Sequence, residues 1–303
     1  MPQGSVLGPL IFNIFLNDLC LLISSCKLSF ADDLKVFRVI SSQNYCITLQ
    51  EDINTLLTWC SDNGMSVNNK KCKIISFTRS KDPVHHQYSI GAEKLERAMS
   101  ICDLGVTIDA KLNFKEHVGI TTAKAMSVLG FIRRHTQEFT DIYALKTLYC
   151  ALVRSILEYA SPVWSSYYVA HIASIERVQR KFVRFALRIL PWSNPDNRPP
   201  YSDRCKLIGL EALSARRVTM QRLFVFDVLE GEIDCPELLN QIPLIIPPRR
   251  FRNTSLLAIT YHRTNYGYNN PLDSCIRSFN VVSDFFYFSV SKIVFKNRIR
   301  NIV

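Results

Sequence analysis

Two adjacent aspartates, Asp32 and Asp33, interrupt an alternating apolar run that covers residues 27–31 and resumes at Leu34 and Val36. Carboxylates held rigidly side by side suit divalent cations, and phosphoryl transfer by two metals needs them near ions about 3.5–4 Å apart. Aspartate is equally at home in a plain solvated turn, where it hydrogen-bonds its own backbone, so the dipeptide alone leaves both readings open. A second chemical feature lies far downstream. Between His171 and Leu190 the bases Arg177, Arg180, Lys181, Arg184 and Arg188 recur every three or four residues, opposite an apolar stripe of Ile172, Ile175, Phe182 and Phe185. Five bases against one acid, Glu176, repel one another at helical spacing, which favours a face that meets phosphate over a merely solvated one.

These groups need elements to position them. The alternation on either side of Asp32 and Asp33 predicts a β-hairpin with the carboxylates at its turn. Residues 2–9 read as a Pro/Gly-rich turn, followed by an apolar helix to about residue 23, with Asn13 and Asn17 on one face as in an amphipathic helix packed on a core. Leu49, Ile53, Leu56, Leu57 and Cys60 fall at helical spacing, and Asn63-Gly64 supplies a stop. Residues 73–78 and 102–108 read as further strands, which makes residues 1–115 an α+β unit. Helical periodicity dominates residues 121–231, with Leu145, Leu148, Leu152 and Ile156 expected on one buried face. A proline-rich loop at 191–200 separates two of these helices. Residues 116–240 thus form a helical region, and 241–303 a tail with a last helix near 283–300. In that tail Arg249, Arg250 and Arg252 mingle with Tyr261, Tyr266 and Tyr268, a mixture that either stacks on single strands or simply packs at the periphery.

Composition narrows the class. The 303 residues are 48% hydrophobic, enough for one large domain or two modest ones, and Lys plus Arg outnumber Asp plus Glu by 37 to 26. Such a surface attracts polyanions, of which nucleic acid is the commonest. Ten cysteines stand singly without a CxxC pair, which points to reduced thiols in an intracellular protein, nucleus and cytoplasm being indistinguishable. The adjacent His85 and His86 lack a partner carboxylate nearby, so no zinc site is expected, and no membrane span either.

Four ordered segments resemble a known family: Pro2-Gln3-Gly4-Ser5-Val6-Leu7-Gly8-Pro9, Phe30-Ala31-Asp32-Asp33, residues 64–72 (GMSVNNKKC) and Leu104-Gly105-Val106. They are similar in order and spacing to successive motifs of the reverse transcriptases of jockey-like non-LTR retrotransposons. The likeness continues less specifically through residues 149–164 (YCALVRSILEYASPVW), residues 175–185 and Arg216-Arg217. It implies a partial palm of antiparallel strands with helices, followed by a helical thumb and connection. It further implies Asp32 and Asp33 as metal-binding catalytic carboxylates for Mg2+, two ions in the intact parent, and Lys71 as the residue that neutralises the leaving pyrophosphate. Gln3, Gly4 and Phe30 then resemble the template and nucleotide contacts, with Phe30 where many relatives have tyrosine, and Leu104 and Gly105 the primer grip. Arg177, Arg180, Lys181, Arg184 and Arg188 fall in the thumb, and the implied partners are an RNA template and a DNA primer.

The family carries a further aspartate on a strand before the Pro-Gln-Gly turn, whereas this sequence starts at Met1-Pro2. The resemblance therefore implies an RNA-directed DNA polymerase fragment that is inactive alone, because a carboxylate bridging two divalent ions offsets their repulsion. A non-catalytic nucleic-acid-binding remnant is the alternative. A palm with missing strands would also leave apolar faces of the hairpin and first helix uncovered and prone to association.

Overall fold

The computed structural model describes residues 7–190, 199–245, 255–300 and 302. Gln3, Gly4, most of the 2–9 and 191–200 segments, and Arg249, Arg250 and Arg252 lie outside the described residues. The chain divides into two compact units, Met1–Leu112, which mixes helices with short sheets, and Asn113–Val303, whose described elements are helical.

In the first unit, a proline in the first turn opens helix α1 (Gly8–Leu22) where an N–H has no intrahelical partner to lose. The expected core packing holds on one side only. Leu19 and Ile23 are buried against Trp59 and Cys60, while Leu10, Ile11, Ile14, Leu21 and Leu22 are exposed. Apolar residues cover more of this helix than one facing helix can meet. We expect the double variant Ile14→Lys, Leu21→Lys to reduce self-association, seen as lower light scattering at equal concentration, with unchanged helicity.

Helix α2 (Gln43–Asp62) buries Cys46, Leu49, Ile53, Trp59 and Cys60 along one face. It stops as the sequence predicts: Gly64 takes φ +65°, and the Met65 N–H donates back to the Cys60 carbonyl at 2.8 Å. Strands β1 (Cys26–Phe30) and β2 (Asp33–Phe37) form the antiparallel hairpin, with Phe30 opposite Asp33 and Leu28 opposite Lys35. Residues 73–78 give only the short β3 (Lys73–Ile75), which pairs in parallel with β6 (Glu96–Ala98) after the small hairpin β4 (Ser89–Ile90) and β5 (Glu93–Lys94). The single strand expected over 102–108 is corrected to a hairpin, β7 (Ser100–Asp103) and β8 (Val106–Asp109). Leu104 at φ +44° and Gly105 at φ +81° turn the chain there, and nothing about a leucine announces a positive φ.

The second unit begins with α3 (Lys115–His135), which packs on α7 (Val169–Ala186). Between them runs a long helical stretch, α4 (Ile142–Leu148), a π-helical segment Tyr149–Arg154 and α5 (Ser155–Glu158), then α6 (Ser161–Trp164). The face expected here is also corrected. Leu145, Tyr149, Val153 and Leu157 are buried, every four residues, and Leu152 is 45% exposed. The wider turn of a π-helix, whose bonds run i to i+5, shifts the buried phase from the 3.6-residue pattern. Tyr149 stacks on Phe182 of α7 with ring centroids 4.1 Å apart.

Beyond α7 come α8 (Tyr201–Ile208), α9 (Leu213–Leu229), α10 (Pro236–Leu239), α11 (Asn265–Tyr268), α12 (Pro271–Asn280) and α13 (Lys292–Ile299). The helix expected near 283–300 is a 3-10 turn, Ser283–Phe285, and then α13. Phe226 of α9, Phe279, Phe286 and Phe295 meet in one core, so α12, α13 and the turn between them share a core with α9. Among the described residues no helix is long and apolar enough to cross a membrane.

Candidate functional site

Asp32 and Asp33 stand at the tip of the β1–β2 hairpin, both exposed. Two residues, Ala31 and Asp32, connect the strands, and Ala31 holds φ +52°, a conformation costly for any residue with a Cβ. The alternation of the strands sorts the side chains. Leu34 and Val36 pack towards Leu19, Trp59 and Cys60, whereas Leu28, Phe30, Asp33, Lys35 and Phe37 share the opposite face. On that face Phe30 is 62% exposed directly across from Asp33, so its ring is available beside the carboxylate.

Asp52, unremarked from sequence, secures the base of the hairpin. Buried on α2, it accepts from the Ser24 N–H at 2.8 Å, the Ser25 N–H at 2.9 Å and the Ser24 hydroxyl at 3.2 Å. Burial pushes its pKa up, but the hydrogen bonds from Ser25 and Ser24 together outweigh that and hold the carboxyl below the usual range. Arg38, just after β2, donates to both serine hydroxyls at 2.9 and 2.8 Å, so the two ends of the hairpin meet at one polar clasp. The sequence signal was an acid set among apolar positions, between Leu49 and Leu56 on the buried side of the helix.

A second contact sets the neighbourhood. Lys35 pairs with Asp103 at 2.7 Å, which brings the Leu104-Gly105 turn beside β2, two residues along the strand from Asp33. Lys71 lies in an exposed turn after Val67, which packs near Leu34 and Val36, and no hydrogen bond or ion pair joins it to either aspartate. Two adjacent carboxylates suit Mg2+, an oxygen-seeking ion held through one or two carboxylates with substrate phosphates completing its shell. Among the described residues no group of three His, Cys, Asp or Glu gathers into a cage. The tip therefore fits part of a divalent site.

The basic residues of α7 lie on one face. Arg177, Arg180, Lys181, Arg184 and Arg188 are exposed, and Ile175, Val178, Phe182, Val183 and Phe185 are buried. Arg177, Arg180, Lys181 and Arg184 have no carboxylate partner among the described residues, although the Arg180 guanidinium lies 5.0 Å from the Tyr201 ring centroid. Arg188 is committed elsewhere. It donates to the Phe185 carbonyl of α7 at 2.9 Å and to the Thr136 and Gln137 carbonyls at 2.9 and 2.8 Å, the latter two satisfying acceptors just past the end of α3.

Glu176 does not neutralise this face, because it is buried. It takes the Tyr201 hydroxyl and accepts from the Leu213 N–H at 3.1 Å, filling the N-terminal cap that Ala212 cannot provide for α9. Gln179 links the same network, accepting from the Tyr149 hydroxyl at 2.9 Å and donating to the Tyr201 hydroxyl at 2.9 Å. Burial and the bond to Glu176 push the Tyr201 pKa up, which keeps it a donor. Glu158 forms the other buried anchor, paired by Nε and Nη2 of Arg216 at 2.5 and 2.9 Å.

Comparison with known proteins matches the first part of this architecture to one family. The family model described as reverse transcriptase (RNA-dependent DNA polymerase) matches residues 1–132, from the hairpin unit into α3. The chain is 27% identical over 205 residues to the probable RNA-directed DNA polymerase from transposon BS of Drosophila melanogaster, covering 61% of this chain and 22% of that protein. It is 25% identical over 195 residues to the probable RNA-directed DNA polymerase from transposon X-element of the same fly, covering 61% of this chain and 21% of that one. A third relative, the RNA-directed DNA polymerase from mobile element jockey, is 25% identical over 127 residues, 39% of this chain and 14% of its own length. This chain spans about a fifth or less of the curated relatives it matches. No solved structure matches it. The first 132 residues thus match the reverse transcriptase family model, and over part of its length the chain is similar to RNA-directed DNA polymerases of Drosophila melanogaster mobile elements.

Proposed function

We propose that this chain is a section of an RNA-directed DNA polymerase that carries the paired carboxylates for nucleotidyl transfer and a basic helix for gripping the template–primer duplex. The acidic tip carries the proposal: Asp32 and Asp33 project from a hairpin anchored at its base by Asp52. In this reading residues 1 to about 115 are a partial palm and the helical region that follows is thumb and connection. When Mg2+ is bound, it stabilises charge on the attacking and leaving oxygens of the displacement. Asp32 and Asp33 would hold it, Phe30 would pack beside the incoming nucleotide, and Lys71 would meet the pyrophosphate. Leu104 and Gly105, tethered by the Lys35–Asp103 pair, would position the primer strand, and Gln3 and Gly4 would approach the template.

The 303 residues alone are catalytically incomplete in this proposal, since two carboxylates on one tip do not offset the repulsion of two divalent ions. Primer extension on an RNA template with Mg2+ tests this. We expect no extension by the purified chain, and weak Mn2+ binding, read by paramagnetic relaxation of water, that Asp32→Asn removes. Processive synthesis abolished by Asp32→Asn would overturn the incompleteness, and Mn2+ binding indifferent to Asp32 would overturn the metal role.

The alternative, a nucleic-acid-binding remnant without catalysis, is favoured by one observation: α7 presents Arg177, Arg180, Lys181 and Arg184 with its only acid turned inward.

A further inference from the structure

At the start of α7 the exposed stripe changes from basic to aromatic. Counting back from Arg184, the exposed positions Arg180, Arg177, Ala173 and Val169 lead to Tyr168 and Tyr167, which are 40% and 41% exposed. Their rings stack on each other with centroids 4.3 Å apart and planes 29° from parallel, and the Tyr167 hydroxyl donates to that of Tyr168 at 2.9 Å. Large aromatics are ordinarily buried for their area, and in this stacked pair the 40% exposed Tyr168 presents aromatic surface to solvent.

The pair is held in place before anything binds. The Ser166 hydroxyl oxygen accepts from the Tyr168 N–H at 3.2 Å and lies 2.8 Å from Nδ1 of His171, whose ring meets the edge of Tyr168 at 5.3 Å. Burial, with Lys115 nearby, pushes the His171 pKa down, which favours the neutral ring. A platform ordered in advance loses little freedom on binding. The distance is also suitable. At 1.5 Å per residue, Tyr168 lies roughly 13 Å along the helix from Arg177 and about 24 Å from Arg184. Spacing of about 3.4 Å per phosphate along one duplex strand makes the interval from Tyr168 to Arg184 some seven nucleotides.

We infer that Tyr167 and Tyr168 form a stacking platform for an unpaired base where the duplex held along α7 gives way to single strand. This rests on the reading of α7 as the nucleic-acid face. Stacking on aromatics is tolerant of sequence because every base has a π-face, so the platform would recognise the junction and not a particular base.

The test compares the full chain and its variants on a blunt duplex and on the same duplex with a single-stranded overhang, by fluorescence anisotropy. Wild type is expected to bind the overhang duplex more tightly. The variant Tyr167→Ala, Tyr168→Ala should bind it about 5- to 150-fold more weakly while keeping its affinity for the blunt duplex. The variant Tyr167→Phe, Tyr168→Phe should behave as wild type, since the rings remain, and thermal melting should be unchanged in both. Equal binding of the two substrates by wild type, or an overhang preference that survives the alanine variant, would overturn the inference. So would sedimentation showing that the alanine variant only dissolves a self-association through this patch. If Arg177→Glu, Arg184→Glu weakens both substrates while the tyrosines prove indifferent, the platform alone fails; if those charge reversals change nothing, the reading of α7 fails with it.

Discussion

The variant Arg177→Glu, Arg184→Glu is expected to bind duplex nucleic acid on the order of 100-fold more weakly at about 50 mM salt, and to flatten the log–log salt dependence by about 2. Each arginine on a phosphate releases close to one condensed counterion, and replacing both with carboxylates removes two such releases and adds repulsion. The choice of positions follows from the packing. Both side chains are exposed on one face of α7, seven residues apart, without a carboxylate partner among the described residues. Arg180 is a poorer probe because it packs over Tyr201, and Arg188 would report on stability because it caps carbonyls just past the end of α3. Extrapolated to 1 M salt, variant and wild type should converge. An unchanged slope, with the helix intact by circular dichroism, would remove the basic face from the nucleic-acid interface.

Replacing Asp52 with alanine should destabilise the hairpin unit by about 1–3 kcal/mol. The N–H groups of buried Ser25 and exposed Ser24 lose their acceptor, and the orphaned buried donor at Ser25 costs about 1–3 kcal/mol, whereas water can replace the acceptor at Ser24. Asp52→Asn should fall between, because its one carbonyl oxygen cannot replace both carboxylate oxygens, each of which accepts a backbone N–H. The pH dependence has a definite sign. A carboxyl whose pKa is lower folded than unfolded stabilises fully above the unfolded value of about 3.8 and loses that contribution as pH falls through the folded one. The gap between wild type and Asp52→Ala should therefore be constant near neutrality and close below about pH 4. Because the two units need not unfold together, hydrogen exchange at the β1 and β2 amides is the suitable measurement. Protection unaltered by Asp52→Ala would show that the clasp does not hold the hairpin. Asp62→Ala, at an exposed site on the same helix, should change stability by no more than about 0.5 kcal/mol.

What could be read from residues alone was local. Alternation around Asp32 and Asp33 specifies a hairpin with an acidic turn, because strand side chains alternate strictly and aspartate suits the turn. The apolar spacing of α2 with Asn63-Gly64 behind it, and the two-sided pattern of α7, likewise depend on neighbours three or four residues apart. The family motifs were legible for the same reason, being short runs in fixed order. Tertiary structure decided the rest, since it turns on partners remote in sequence. Asp52 is an ordinary helical acid until Ser24 and Ser25 are folded onto it, and Glu176 counts as part of a charged face until Leu213 and Tyr201 bury it. Lys35 approaches Asp103 across sixty-eight positions, a closure that no local pattern encodes. The π-helical segment moves the buried stripe to Tyr149 and Val153, and the hairpin at Leu104 needs a positive φ that only surrounding contacts can sustain. Sequence thus determined which groups are available for chemistry and their local secondary structure, and long-range packing determined which of those groups are buried as anchors and which remain exposed to act.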